Sequence, residues 1–215
     1  MSMIAAGGSG INPVYPWASM PAAGIIGRQA FCSNFGVKGN MLQDDGTRWK
    51  PLNGQALLAS RDVLSGNINN VETIVFQHQL PAAFWQISDR LRLVMTHGKS
   101  GTTDNMTTKL RLGTAGTTSD TQLFSWTFLN SGNRSSATMF DLRLETATTV
   151  QQLNNTGGTF AGVGYSNIGA GVVAGPVTIS NVSNSLFFSV SITSAGATDT
   201  SYMQEAQLWY LSKAN

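Results

Sequence analysis

Asp89-Arg-Leu-Arg-Leu-Val-Met-Thr-His97 opens a run that continues through Thr107-Thr-Lys-Leu-Arg-Leu-Gly113 and Gln122-Leu-Phe-Ser-Trp-Thr-Phe-Leu129 to Met139-Phe-Asp-Leu-Arg-Leu-Glu145. Polar tips rich in Gly, Ser, Thr and Asn separate its segments. Successive side chains of a strand point to opposite faces, so Leu91, Leu93 and Met95 share one face while Arg90, Arg92 and Thr96 share the other. Leu110 and Leu112 alternate with Lys109 and Arg111, and Phe140, Leu142 and Leu144 alternate with Asp141, Arg143 and Glu145. These are three half-buried strands. The strand between them differs: Phe124, Trp126 and Phe128 take one face, Leu123 and Leu129 the other. A strand apolar on both faces belongs inside an assembly, central in a two-sheet sandwich or against another subunit. The run predicts an antiparallel meander, and with it a binding or structural protein.

Working outward, 215 residues suit one ordinary domain with an appendage. Charged residues are 11% of the chain, against about a quarter in a typical domain. The surface is therefore polar by hydroxyl and amide, as in β-rich shell and fibre proteins. Thirteen basic against eleven acidic residues leave a net charge of +2, too little for binding nucleic acid by phosphate neutralisation. Arg90, Arg92, Lys109 and Arg111 are expected to cluster on the outer faces of neighbouring strands, read as a solvated sheet face or as cross-strand pairs with Asp141 and Glu145 in preference to a polyanion site. Cys32 is the single cysteine, so no intrachain disulfide forms, and synthesis in a reducing cytoplasm is expected. No run of about 18 apolar residues predicts membrane insertion, and the first residues lack the pattern of a signal peptide.

Residues 1–46 hold eight glycines and three prolines, and no sustained period of 2 or 3.6. They also carry Ile11, Val14, Tyr15, Trp17, Ile25, Ile26, Phe31 and Phe35, more apolar bulk than a linker needs. This composition predicts an extended N-terminal arm that orders along a partner, with Tyr15, Trp17, Ile25, Ile26, Phe31 and Phe35 as anchors and Arg28 and Lys38 reaching acidic groups; an N-terminal strand and loop packed on its own domain is the equal alternative. Residues 47–215 are the globular domain. Asn53-Gly54 is a turn signal that predicts a hairpin between Trp49 and Leu57-Leu58. Glu72 to Leu80 is a strand ended by Pro81. Further strands are expected at Thr148 to Leu153, Val177 to Ser180, Leu186 to Ile192 and Tyr202 to Leu211, with Met203, Trp209 and Leu211 on one face of the last. Asn154 to Gly175 contains seven glycines and reads as a long loop or an irregular hairpin. Nine or ten strands without an amphipathic helix give an antiparallel β-sandwich.

No catalytic signature stands out, and neither a metal nor a cofactor is expected. His78 and His97 sit in no metal-binding pattern, and His97 beside Asp104 is read as an incidental surface histidine. Asp44-Asp45-Gly46 is a turn rather than a calcium loop. Asp141, Glu145 and Glu205 would have to meet in space to cleave a glycan.

Arg48-Trp-Lys-Pro-Leu-Asn-Gly-Gln-Ala-Leu-Leu-Ala59, Glu72-Thr73, Leu91-Arg-Leu-Val-Met-Thr96 and Lys109-Leu-Arg-Leu-Gly113 together resemble a jelly-roll module of bacteriophage virion proteins. In that family a hairpin of Arg-x-Arg-Pro-Val-Asn-Gly type opens the domain, and two strands rich in Leu-Arg flank a polar tip. The resemblance covers residues 47–150 and departs at Met95-Thr96-His97, where the family often has an aromatic. It implies a jelly roll and a homotrimer on the virion exterior, on capsid or tail fibre. A capsid decoration protein would use residues 1–46 over the major capsid protein or another virion protein. A receptor-binding tail module would instead present its loop tips, 98–107 and 154–175, to host surface glycan or protein. A glycan depolymerase is the outside alternative. The surplus apolar surface predicts an oligomer interface at Phe124, Trp126, Phe128 and Trp209.

Overall fold

The computed structural model describes residues 12–68, 70–128, 134–153, 168–171 and 176–213. The chain divides into two compact units, Met1–Ala56 and Leu57–Asn215.

In the first unit, strands β1 (Val14–Tyr15), β2 (Gln29–Cys32), β3 (Asn40–Asp44) and β4 (Trp49–Pro51) form one sheet in that order, with a 3-10 turn at Trp17–Ser19. β1 runs parallel to β2, and the other pairs are antiparallel. Ala30, Cys32, Phe35, Leu42 and Trp49 are buried. Residues 12–46 are therefore not one extended arm. Gly and Pro break the period that would reveal strands, but the apolar residues find enough partners among themselves to build a small sheet.

The second unit is all-β, with two antiparallel sheets packed on one another. β5 (Gln55–Arg61), β6 (Thr73–Leu80), β7 (Arg90–Ser100), β8 (Met106–Gly113) and β9 (Thr121–Phe128) are followed by β10 (Arg134–Thr146) and β11 (Thr149–Gln152). β12 (Ile168–Gly171), β13 (Val177–Thr178), β14 (Leu186–Ser194) and β15 (Thr200–Leu211) complete it. One sheet has the order β13-β11-β10-β7-β15-β5, the other β12-β9-β8-β14-β6. Leu91, Leu93 and Met95 on β7, Leu110 and Leu112 on β8, Phe140, Leu142 and Leu144 on β10 and Phe188, Val190 and Ile192 on β14 are all buried, as alternation requires. Across the interior, the Phe124 and Phe140 rings stand 4.9 Å apart.

Two expectations change. The run from Asp89 to Glu145 is not a meander, because β7 and β10 lie in one sheet and β8 and β9 in the other. A strand with one apolar face can bury it only against a facing layer, so β7 and β8 oppose each other across the core instead of pairing edge to edge. The basic residues of β7 and β8 are thus on different sheets. The Asn53–Gly54 turn is real, with Gly54 at φ 71 and its N–H bonded to the Pro51 carbonyl at 2.9 Å. It closes no hairpin, however, since β4 pairs with β3 and β5 lies beside β15.

Bulges account for the doubly apolar strand. On β9, Leu110 pairs with Phe124 and Arg111 with Gln122, leaving Leu123 as an extra residue. Two residues then oppose one and the alternation skips a step, so Leu123 and Phe124 are both buried. Val75 is the extra residue on β6 in the same way. On β15 the ladder jumps from Met203 to Glu205. Gln204 is bulged out, which puts Met203, Ala206, Leu208 and Tyr210 in the core and turns Trp209 and Leu211 to the outer face. The expected grouping of Met203 with Trp209 is corrected by that one inserted residue.

Candidate functional site

The chemically distinctive residues lie in the first unit, on the two outer faces of the sandwich and at one buried end of it. In the first unit the organising residue is Asp44, whose side chain is fully buried. Its carboxylate accepts hydrogen bonds from the Gly24 N–H at 2.9 Å, the Ile25 N–H at 3.0 Å, the Gly46 N–H at 2.9 Å and Arg28 Nη2 at 2.8 Å. Its backbone carbonyl accepts from the Gly27 N–H at 2.9 Å. Burial opposes the charge, but these donors prevail and hold the carboxyl at a pKa of about 2. Arg28 also donates to the Ala22 carbonyl, and its guanidinium lies 4.8 Å over the Trp49 ring. The Trp49 Nε1–H is bonded to the Pro21 carbonyl at 2.7 Å. The loop between Ala22 and Arg28 is thereby wired on both sides, and its tip shows Ile25 at 60% and Ile26 at 82% exposure. Asp45 is engaged too, accepting from the Thr47 N–H and the Arg48 N–H, each at 3.0 Å, so Asp44-Asp45-Gly46 is a turn.

The anchor residues expected in this segment separate into three groups. Ile25 and Ile26 face solvent, Tyr15, Trp17 and Phe31 are half-buried, and Phe35 is buried with its ring 5.5 Å from Trp17. Phe35 therefore belongs to this unit's own core, and Arg28 is paired with Asp44 rather than held out to a partner.

In the second unit the outer face of the six-stranded sheet is read directly from the register. Met139, Val94 and Gln207 lie in one row across β10, β7 and β15; Asp141, Arg92 and Trp209 form the next. Val94 is 36% and Met139 46% exposed, and Trp209 is half-buried with its indole N–H on Gln207 Oε1 at 3.2 Å. Arg92 grips Asp141 with two bonds of 2.7 and 2.8 Å, as expected of a cross-strand pair, and that carboxylate raises the guanidinium's pKa. Among the proposed interface residues, Trp209 alone is seen on this face: Phe124 and Phe128 are buried, and the Trp126 side chain lies outside the described residues. Val94 and Met139 were missed in the sequence, although strict alternation from Arg92 already turns Val94 outward.

The outer face of the five-stranded sheet is polar and internally bonded. Glu72 receives Lys109 at 2.7 Å, Arg111 at 2.8 Å and the Ser191 hydroxyl at 2.5 Å. Despite a desolvation penalty, these partners lower its pKa. Thr107 and Thr127 bond across β8 and β9 at 2.9 Å.

At one end the core itself turns polar. Lys99 Nζ, fully buried, meets Asp199 at 2.6 Å, while Asp199 also accepts from the N–H groups of Thr103 and Asp104. Asp104 answers by accepting from the N–H groups of Thr198 and Asp199 at 2.9 and 3.0 Å. The two carboxylates thus clasp the β7–β8 and β14–β15 loops together, and Lys99 lowers the pKa of Asp199. His97 is buried, not on the surface as expected. Its Nδ1 is 2.9 Å from the Thr108 hydroxyl, its ring 4.9 Å from Phe128, and burial pushes its pKa down to about 3. Such a histidine is neutral at ordinary pH and is placed for packing.

Of the carboxylates considered for glycan cleavage, Asp141 sits in the row of Arg92 and Glu205 in that of Thr96. Four residues along a strand is about 13 Å, beyond the roughly 5–9.5 Å that such a pair needs. Among the described residues, no three of His, Cys, Asp and Glu gather as a metal site, and no helix is long and apolar enough to cross a membrane. The loop tip at 154–167 and 172–175 lies outside the described residues. No protein-family model matches the chain, and comparison with curated proteins and solved structures gives no significant match either.

Proposed function

We propose that this chain is a non-catalytic structural protein of a bacteriophage virion, a homotrimeric capsid decoration protein displayed on the particle exterior. The observation that carries the reading is how its two units divide their surfaces. Charged side chains in both units are tied up in holding loops and strands, as with Asp44, Asp104, Asp199, Glu72 and Asp141. Large apolar side chains, by contrast, are shown to solvent at Ile25 and Ile26 and at Val94 and Met139. A surface built this way suits association between proteins.

The strand order supports the jelly-roll part of the reading. Without the short β11, β12 and β13, the sheets are β5-β15-β7-β10 and β6-β14-β8-β9. Eight strands so divided between two sheets are what a jelly roll contains. The N-terminal unit would anchor the protein on the major capsid protein or a neighbouring virion protein, and the outer face around Val94, Met139 and Trp209 would meet other copies.

Two measurements test this. Light scattering on the full-length chain at micromolar concentration should give three times the 22.8 kDa chain mass, and a V94E/M139E double variant should lower it without loss of β-type circular dichroism. A monomeric wild type would remove the trimer. Imaging of particles carrying a labelled chain should place label over the head; label at the tail tip would favour a receptor-binding module, and unlabelled particles would end the virion reading.

A further inference from the structure

We infer that the end of the sandwich at Lys99 is an internal hydration site, where resident water joins Ser194 of one sheet to Ser201 of the other beside the Lys99 ammonium. The inference goes beyond the role proposed on the virion and stands independently of it.

The strand ladders place the three side chains. Residues directly opposite one another in an antiparallel pair share a face of the sheet. Ser201 on β15 stands opposite Lys99 on β7, and Ser194 on β14 opposite Met106 on β8. Lys99 and Met106 are buried in the interior, so the two serines point inward with them and are themselves only 0% and 1% exposed. β14 and β15 belong to different sheets, so the hydroxyls enter the core from facing layers. They stand at the two ends of one crossover, residues 195–199. The crossover of residues 101–105 lies beside it, with the Ala195 N–H bonded to the Asn105 carbonyl at 2.7 Å.

The protein itself does not satisfy these hydroxyls. Among the described residues neither Ser194 Oγ nor Ser201 Oγ has a hydrogen-bond partner, although both are buried. A buried hydroxyl left dry is costly, and folded proteins rarely keep one. Lys99 has a donor to spare, because the Gly101 carbonyl takes one of its three N–H groups at 2.9 Å and Asp199 another at 2.6 Å. The demand is local. The next inward residues along β14 and β15, Ile192 and Met203, are apolar, and the neighbouring His97 and Thr108 side chains meet each other at 2.9 Å.

Charge selects water over an ion. Lys99 balances Asp199, and Asp104 is occupied by the Thr198 and Asp199 N–H groups. An anion would face both carboxylates, and a cation would lie against the ammonium. A neutral molecule that donates and accepts suits two hydroxyls and one N–H, and a buried water makes about three hydrogen bonds. Because Asp104 and Asp199 clasp both crossovers shut, the water exchanges with bulk solvent only when that end opens.

The test uses the full-length chain. Oxygen-17 relaxation dispersion counts waters that stay longer than the protein takes to tumble, and exchange of hydroxyl protons does not affect it. Wild type should hold at least one more such water than S194A/S201A. Melting temperature gives an independent sign: losing a hydroxyl that water satisfies should lower it in S194A and in S201A, whereas losing a dry one should raise it. A high-resolution crystal structure of wild type should show the water about 2.7–3.2 Å from Ser194 Oγ and Ser201 Oγ, whether or not a variant folds. Equal water counts in wild type and S194A/S201A would overturn the site, as would a rise in melting temperature in both single variants. An anomalous peak between the serines after a rubidium or bromide soak would replace the water by an ion and overturn it too.

Discussion

Asp44 carries more structure than any other single residue of the first unit, because one buried carboxylate satisfies three loop amides and a guanidinium. Its folded pKa of about 2 lies below the roughly 3.9 of an unfolded aspartate. Between those values the unfolded chain binds the extra proton, so the stabilisation is complete above about pH 4 and is lost as pH falls through about 2. Amide hydrogen exchange at Gly24, Ile25 and Gly46, corrected for its intrinsic pH dependence, should accelerate over that window in wild type. In D44N the fast exchange should be present already at pH 6. Protection unchanged down to pH 2 would mean that the carboxylate does not hold the loop. Gly54 gives a second test, since its φ of 71 is one a β-branched residue adopts only with strain. Gly54→Val should cost about 1–2 kcal/mol in a denaturant titration. In the sequence, Asn53-Gly54 announced itself as a turn because the two residue types carry that preference locally. Asp44 did not, because nothing near it in the chain says that amides twenty residues away need an acceptor.

At the level of elements, the strands of the sandwich were legible wherever period-2 alternation ran unbroken, as in β7, β8 and β10. They were misread where a bulge intervened. Each bulge shifts the face of every later residue by one step, and whether a strand is bulged depends on its neighbour's ladder rather than on its own composition. β15 shows the consequence, since Gln204 alone decides that Tyr210 and Leu208 are core and Trp209 is outside. Deleting Gln204 should join Met203 to Glu205, which already face His97 and Thr96, in one unbroken ladder and leave Ala206, Leu208 and Tyr210 in the core, whereas deleting the laddered Gln207 should force half of β15 to present its polar face to the core. The loss on deleting Gln207 should exceed about 3 kcal/mol, read as a lower denaturation midpoint or insoluble protein. A Gln204 deletion as damaging as the Gln207 deletion would show that the ladder is not shifted between Met203 and Glu205. The basic residues teach the same lesson in another form. Cross-strand pairing of the basic cluster with Asp141 was one of two readings the sequence left open, and Arg92 makes it, but Lys109 and Arg111 found Glu72, because β8 sits in the opposite sheet from β7.

For the whole molecule, the division at Ala56–Leu57 predicts that the sandwich stands without the first unit. A chain of residues 55–215, which keeps β5 intact, should retain β-type circular dichroism and melt cooperatively, yet fail to bind particles. An unfolded product would mean that the first unit supplies part of the sandwich's stability, and full binding would move the anchor elsewhere. The amino-acid sequence by itself determined that this is an all-β protein of half-buried strands, where the regularly alternating strands of the sandwich lie, and that its first residues hold more apolar bulk than a linker needs. These are local properties, set by alternation, turn residues and composition. Only the tertiary structure decided which strands share a sheet, that Phe124 and Phe128 face inward, that Phe35 and Arg28 are used within their own unit, and that Ile25, Ile26, Val94 and Met139 are left in solvent. Those outcomes follow from pairing and burial between residues far apart in the chain, where a facing layer, an inserted bulge residue or a distant carboxylate fixes what the local pattern leaves open.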